Sequence, residues 1–225
     1  MGWGERMVTN TKNKDDEINN SLQILQTWFS SSFPIGSYAY SHGLEAMIED
    51  KIIKNEEDIF DFIQSIVVHG TCKNDLIFLK STYEGEELND LALAMCSSKE
   101  RKIETLAMGN AFIKILKESW KFELPVNMAY PICLGKAGLH FKIPIELTSL
   151  FYLQSFTSNL INICVKHVPL GQKIGQDCIV NTMPIIKNVA EKIKDFSLED
   201  LGGICFNADI YSIKHENLTS RVYLT

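Results

Sequence analysis

The sequence predicts an all-α, single-domain bundle of roughly nine to eleven helices with no significant sheet. Three observations carry this. Apolar residues recur three and four apart through most of the chain, as in Ile59, Phe62, Ile63, Ile66 and Val67. No stretch alternates apolar and polar residues over a useful strand length, and no repeat occurs. Prolines and glycines fall at the breaks between periodic segments. At 225 residues the chain can bury one substantial core, roughly 70% of the surface that its unfolded form exposes.

Residues 1–19 are polar without periodicity, so a mobile leader is expected, followed by one helical domain over 20–225. From Ser21, the spacing of Leu22, Leu25, Trp28 and Phe29 predicts the first core helix. Pro34 and Gly36 then turn the chain, and Ser37 is placed to cap a helix from about Tyr38. Asn55 caps the next, whose first turn carries Glu56, Glu57 and Asp58 against the positive end of the dipole. A helix over 75–83 ends at Gly85, and a short one covers 87–96. Ser97 or Ser98 caps a long helix over 99–122 with Ile103, Leu106, Ala107, Phe112, Ile113 and Leu116 as its buried side. Gly109 inside it implies a close backbone approach, since glycine mid-helix costs about 1 kcal/mol against alanine. Pro131 opens a helix to Leu139, and Pro144 opens one to His167, broken by Val168-Pro169-Leu170-Gly171. Helices over 172–181 and from Pro184 to Phe196 follow. Ser197 and Asp200 form a capping box, and a last helix runs from Asn207 or Ala208 to Leu218. Residues 219–225 remain as a flexible tail.

Composition narrows the function classes. The chain is 45% hydrophobic and 22% charged, with a net charge of −6, which gives no general attraction to nucleic acid or anionic lipid. Acidic residues crowd residues 45–61, either as a solvated face or as a dock for a basic partner. The six cysteines form no C-x-x-C pair and read as small buried hydrophobes. Without a secretory signal, a reducing cytoplasm is the expected compartment. The apolar run 145–165 holds Glu146, Gln154, Asn159 and Asn162, so it reads as a core helix and not a membrane span.

No glycine-rich phosphate loop occurs, so any nucleotide hydrolysis belongs to a partner. No nucleophile elbow or paired Cys/His zinc pattern occurs either, and catalysis has no positive support. His42 and Glu45 lie three apart, which on a helix is one face and could form half of a di-metal site, although no second pair accompanies them. A helical metal-binding protein or metalloenzyme using His42 and Glu45 is therefore the alternative reading. A structural interaction module is another.

Four ordered blocks carry a resemblance. Phe33-Pro34-Ile35-Gly36-Ser37 with Tyr38 and Ser41-His42-Gly43-Leu44-Glu45 is similar to the N-terminal signature of the UreF family of urease accessory proteins. Tyr130-Pro131 with Leu134-Gly135 and Ala137-Gly138-Leu139 resembles a second block. Pro169-Leu170-Gly171-Gln172 with Gly175-Gln176, just after Lys166, resembles a third. The stretch from Asp209 through His215 and Glu216 to Ser220 and Arg221, followed by Tyr223, resembles the family's terminal pattern. Here Ile213 stands for methionine, Lys214 for arginine or glutamine, Thr219 for tyrosine and Val222 for leucine.

The resemblance implies a non-catalytic, all-helical homodimer of the cytoplasm. It implies binding to UreD (UreH in some systems), recruitment of the GTPase UreG, and nickel insertion into apo-urease. It also implies no cofactor bound directly, with nickel and GTP acting through partners. By the same resemblance, residues 33–45 and 169–176, with Lys166, His215 and Glu216, are partner-binding or dimer-supporting surface, and the tail at 219–225 is the part that becomes ordered against UreD. In a lone chain Val222 and Leu224 are expected to find little to bury against, while Arg221 and Tyr223 are residue types that interfaces use as anchors.

Overall fold

A computed structural model describes residues 4–224, with side chains from residue 15 onward; Trp3 of the expected leader and Thr225 of the expected tail lie outside the described residues. The architecture is all-α, without a strand among the described residues. The helices are α1 (Gly4–Trp28), α2 (Leu44–Glu49), α3 (Glu56–Val68), α4 (Thr71–Tyr83), α5 (Asn89–Ala94), α6 (Lys99–Trp120), α7 (Tyr130–His140), α8 (Ile145–His167), α9 (Gln172–Glu191) and α10 (Phe206–His215). Short 3-10 turns cover Ser37–Ala39, Lys192–Asp195 and Leu198–Asp200.

The apolar helix α8 is the hub, packing against α1, α2, α3, α4, α7 and α9. Burial of Tyr152, Leu153, Leu160, Ile161, Ile163 and Cys164 around its circumference accounts for this. Trp28, fully buried at the end of α1, meets Phe112, Trp120 and Phe141 edge-on at 5.2, 5.6 and 5.6 Å, each pair adding about 1 kcal/mol beyond its buried area.

The expected caps form. The Asn55 side chain accepts from the Asp58 amide, Ser98 accepts from the Arg101 amide, and Ser197 makes its capping box with Asp200. All six cysteines are free, and five are buried. No described helix is long and apolar enough to cross a membrane.

Four expectations change. The leader is helical from Gly4, because residues 5–28 contain neither proline nor glycine and a helix anchored at Ser21–Trp28 extends without a second nucleation step. Residues 15–20 are exposed along it. Helix α9 runs through Pro184, which is exposed, so the backbone groups disturbed by its ring face water. Ile103 and Ala107 of α6 are exposed, and Glu100, Arg101, Glu104 and Thr105 are buried in their place. The turn after Ser37 is one 3-10 turn followed by extended Tyr40. Helix α2 starts only at Leu44, since His42 (φ 53°) and Gly43 (φ 78°) are both left-handed.

Gly109 sits where the sequence calls for a close approach. A Cβ there would lie 2.0 Å from the Met128 carbonyl oxygen. Gly109→Ala is expected to cost about 3 kcal/mol in urea denaturation, since a backbone group must move. A loss below about 1 kcal/mol would mean that α6 and the loop before α7 separate freely.

Candidate functional site

The 33–45 turn is built from the inside out. Phe33 is buried, its ring 5.7 Å from that of Phe112, while Pro34 stays in solvent. Gly36 takes the cap position of the 3-10 turn at φ 73°, so Ser37 does not cap; its carbonyl accepts instead from Asn159 Nδ2 at 2.9 Å. This leaves Tyr38 71% exposed. The left-handed pair then turns His42 inward and lets α10 approach. A Cβ on Gly43 would lie 2.6 Å from the Ser212 amide nitrogen, so glycine is required there both for its φ and for space.

His42 and Glu45 consequently do not share a helix face. His42 Nε2 lies 2.8 Å from Glu104 Oε1, and Glu45 turns toward α10. Among the described residues no group of three or more His, Cys, Asp and Glu is placed to hold a metal ion.

Beneath the turn lies a buried charge lattice. Arg101 reaches Glu104 at 2.9 Å and Asp75 at 3.3 Å, and the Tyr152 hydroxyl donates to the same Asp75 oxygen at 2.5 Å. Burial alone would raise the Glu104 carboxyl, but Arg101 and then His42 outweigh it and hold the group at about 2. Burial raises Asp75, and Arg101 and Tyr152 only partly offset that. The lattice borders a cavity of about 40 Å³ together with Tyr130, whose buried hydroxyl meets no partner among the described residues.

One turn earlier on α6, a second cluster ties in the chain's end. His215 is fully buried, with Nδ1 2.8 Å from Glu100 Oε2 and Nε2 3.0 Å from Glu45 Oε2. Arg221 donates to Glu100 Oε1 at 2.8 Å, and the amides of Val222 and Tyr223 donate to Glu45 at 2.7 and 3.0 Å. The Leu224 amide donates to the Ala39 carbonyl, and the Tyr223 hydroxyl lies 3.0 Å from His167 Nε2. Burial would raise Glu45, but the His215 contact and the two amides bring it below its ordinary value. Glu100 has fewer donors and is more enclosed, so burial raises it despite His215 and Arg221.

Residues 221–224 thus form an anchored strap. Tyr223 is buried. Its neighbours Val222 and Leu224 remain 73% and 62% exposed, as expected. On α10, Phe206, Ile210 and Ile213, spaced four and three apart, are exposed as well.

Of the residues singled out in the sequence, Phe33, Gly36, His42, Glu45, His215, Arg221 and Tyr223 converge on the turn and strap. Lys166, Pro169, Gly171, Gln172 and Gln176 are exposed around the α8–α9 break and supply none of these contacts; Glu216 and Ser220 are exposed beside the strap. Asp75, Glu100, Arg101, Glu104 and Tyr152 were not anticipated. Their one sequence signal is the Glu100-Arg101-x-x-Glu104 spacing, which puts a cation and two acids on adjoining helix positions.

Fold and site together describe a helical protein whose buried charged groups pair with one another and which exposes apolar side chains on α10 and the strap. The UreF family profile matches residues 53–182. Urease accessory protein UreF of Roseobacter denitrificans is 34% identical over 206 residues, covering 89% of this chain and 92% of that protein. The Ruegeria pomeroyi protein of the same name is 35% identical over 207 residues, covering 89% and 95%, and a Rhodopseudomonas palustris one is 32% identical over 224 residues, covering 92% and 94%. The chain belongs to the UreF family.

Two outcomes follow from this geometry. His42→Ala leaves a carboxylate short of one buried partner and is expected to cost about 3 kcal/mol in chemical denaturation, whereas Tyr38→Ala changes stability by less than about 0.5 kcal/mol. Equal effects would refute the assignment of one residue to the interior and the other to the surface. Glu104, held below its ordinary 4.5, contributes stability that is present above pH 4.5 and is lost as pH falls toward about 2. Glu104→Gln should flatten that acid limb of the stability profile, and an unchanged limb would show that other carboxylates govern it.

Proposed function

We propose that the chain is a urease maturation factor, a non-catalytic helical scaffold that joins UreD (UreH in some systems) and recruits the GTPase UreG, so that nickel enters apo-urease. In this reading it works in the cytoplasm as a homodimer and binds no cofactor itself, nickel and GTP acting through its partners. The observation that carries the partner-binding role is the apolar row on α10, Phe206, Ile210 and Ile213, 71%, 42% and 50% exposed, together with the exposed Val222 and Leu224 of the strap. Contiguous exposed apolar side chains rimmed by charge mark protein contact sites. Lys214 and Asp50, paired at its edge, supply part of such a rim.

The strap makes this surface inexpensive to use. Its backbone is already held by Glu45 and Ala39, so a partner meeting Val222 and Leu224 does not bear the full entropy of ordering a free tail. The exposed Tyr38 and the 166–176 segment support a second contact, to the GTPase or to a second copy of the chain.

Mixing the chain with cognate UreD and UreG, with and without GTP and nickel, and weighing the complexes by light scattering tests the reading. Failure to assemble with folded partners would remove it. Within that assembly, Arg221→Ala should weaken the UreD complex by roughly 2 kcal/mol, about thirtyfold in Kd, with unchanged helicity. An unaltered Kd by titration calorimetry would make the tail a bystander.

A further inference from the structure

The strap's attachment has a composition that its position alone does not require. Three of its groups, the amides of Val222 and Tyr223 and the Arg221 guanidinium, end on just two carboxylates, Glu45 and Glu100, and those two acids are bridged by one fully buried imidazole, His215. Glu45 accepts from both amides, one on each oxygen, with His215 Nε2 lying beside the second. A carboxylate can do this because it only accepts; once protonated, one oxygen becomes a donor and faces N–H groups that also donate. Glu100 faces a guanidinium and the other ring nitrogen, so its protonation removes the charge from two charge-assisted bonds together.

From this geometry we propose that residues 221–224 are a pH-operated strap. The Glu45–His215–Glu100 bridge closes it near neutral pH, and proton uptake by the two acids opens it locally, ahead of the helical core.

The surroundings decide which groups can operate it. Helix α2 contributes Glu45, Glu49 and Asp50, and Asp50 is taken up by Lys214 and Tyr211 of α10. Helix α6 contributes Glu100, Arg101 and Glu104, of which Arg101 and Glu104 pair with each other and with Asp75 and His42 in the deeper lattice. Helix α10 adds Asp209, which accepts from the Cys205 amide, and Glu216, whose charge acts on Glu100 in the direction that favours proton uptake. Helix α8 contributes His167 against the Tyr223 hydroxyl. Burial raises Glu100 above its ordinary value, so it takes a proton first as pH falls, and Glu45, held lower by His215 and then by the strap's own amides, follows. Opening the strap withdraws those amides from Glu45, so release and protonation of Glu45 reinforce each other. The proposal concerns the free chain and does not depend on the partners named above.

The test is hydrogen–deuterium exchange on the full-length chain from about pH 8 to about pH 4, with rates corrected for intrinsic exchange and the α4 amides as an internal reference. Protection of Val222, Tyr223 and Leu224 is expected to fall at least about tenfold across this range while α4 stays protected. Arg221 is on the surface, so Arg221→Gln folds; removing its charge should shift the midpoint of release upward by at least about half a pH unit. Glu100→Gln should leave the strap open already near neutral pH. Four results would overturn the proposal: pH-independent protection, strap and α4 lost together, a midpoint that Arg221→Gln does not move, or a midpoint set by His167→Asn, which would place the titrating group on α8.

Discussion

The constraint from which the rest follows is the guanidinium of Arg101 enclosed by α4, α6 and α8. An isolated buried cation of this kind costs several kcal/mol, and two carboxylates offset it only if each is itself satisfied. Glu104 completes its set with His42, and Asp75 with Tyr152. Each requirement fixes a backbone element. Tyr152 sets the rotation of α8 against α4, and His42 must point inward. The chain meets that last demand by placing His42 and Gly43 in left-handed conformations, so that four residues separate the end of the 3-10 turn from the start of α2. Such a lattice contributes less to net stability than apolar packing of equal volume would. Its effect is geometric, because a small rotation of any of these elements would strand a charge.

Much of the architecture was legible because it rests on local rules. The caps at Asn55, Ser98 and Ser197, the proline starts of α7 and α8, and the close approach at Gly109 all appear where residue chemistry puts them. The first half of α6 misled for a physical reason. Apolar periodicity pointed to Ile103 and Ala107, but the face toward the core carries Glu100, Arg101 and Glu104, and charges become core residues only when partners distant in sequence neutralise them. The 38–45 segment misled similarly. Residue spacing suggested one helical face for His42 and Glu45, whereas positive φ at a histidine is chosen by tertiary contacts that no local window contains. The residue types at the turn and the chain's end were identifiable as a set through resemblance; their convergence on one another was not, since Glu45 and Val222 lie 177 positions apart.

Glu100 and Glu104 occupy successive turns of one helix, yet they serve different networks. Glu104 looks into the lattice that orients the turn, and Glu100 looks out to the strap that crosses it. Helix α6 therefore links interior order to the strap. A substitution at either acid should be felt at both ends, which makes single-site effects here poor guides to which residue touches a partner.

The long sequence separation of the strap contacts also bears on biosynthesis. Glu45 and Glu100 emerge from the ribosome well before His215, Arg221 and the amides that meet them, so both acids stand without these partners through most of translation. A chain that stopped short of residue 215 would lack the imidazole, guanidinium and amides that meet both acids here.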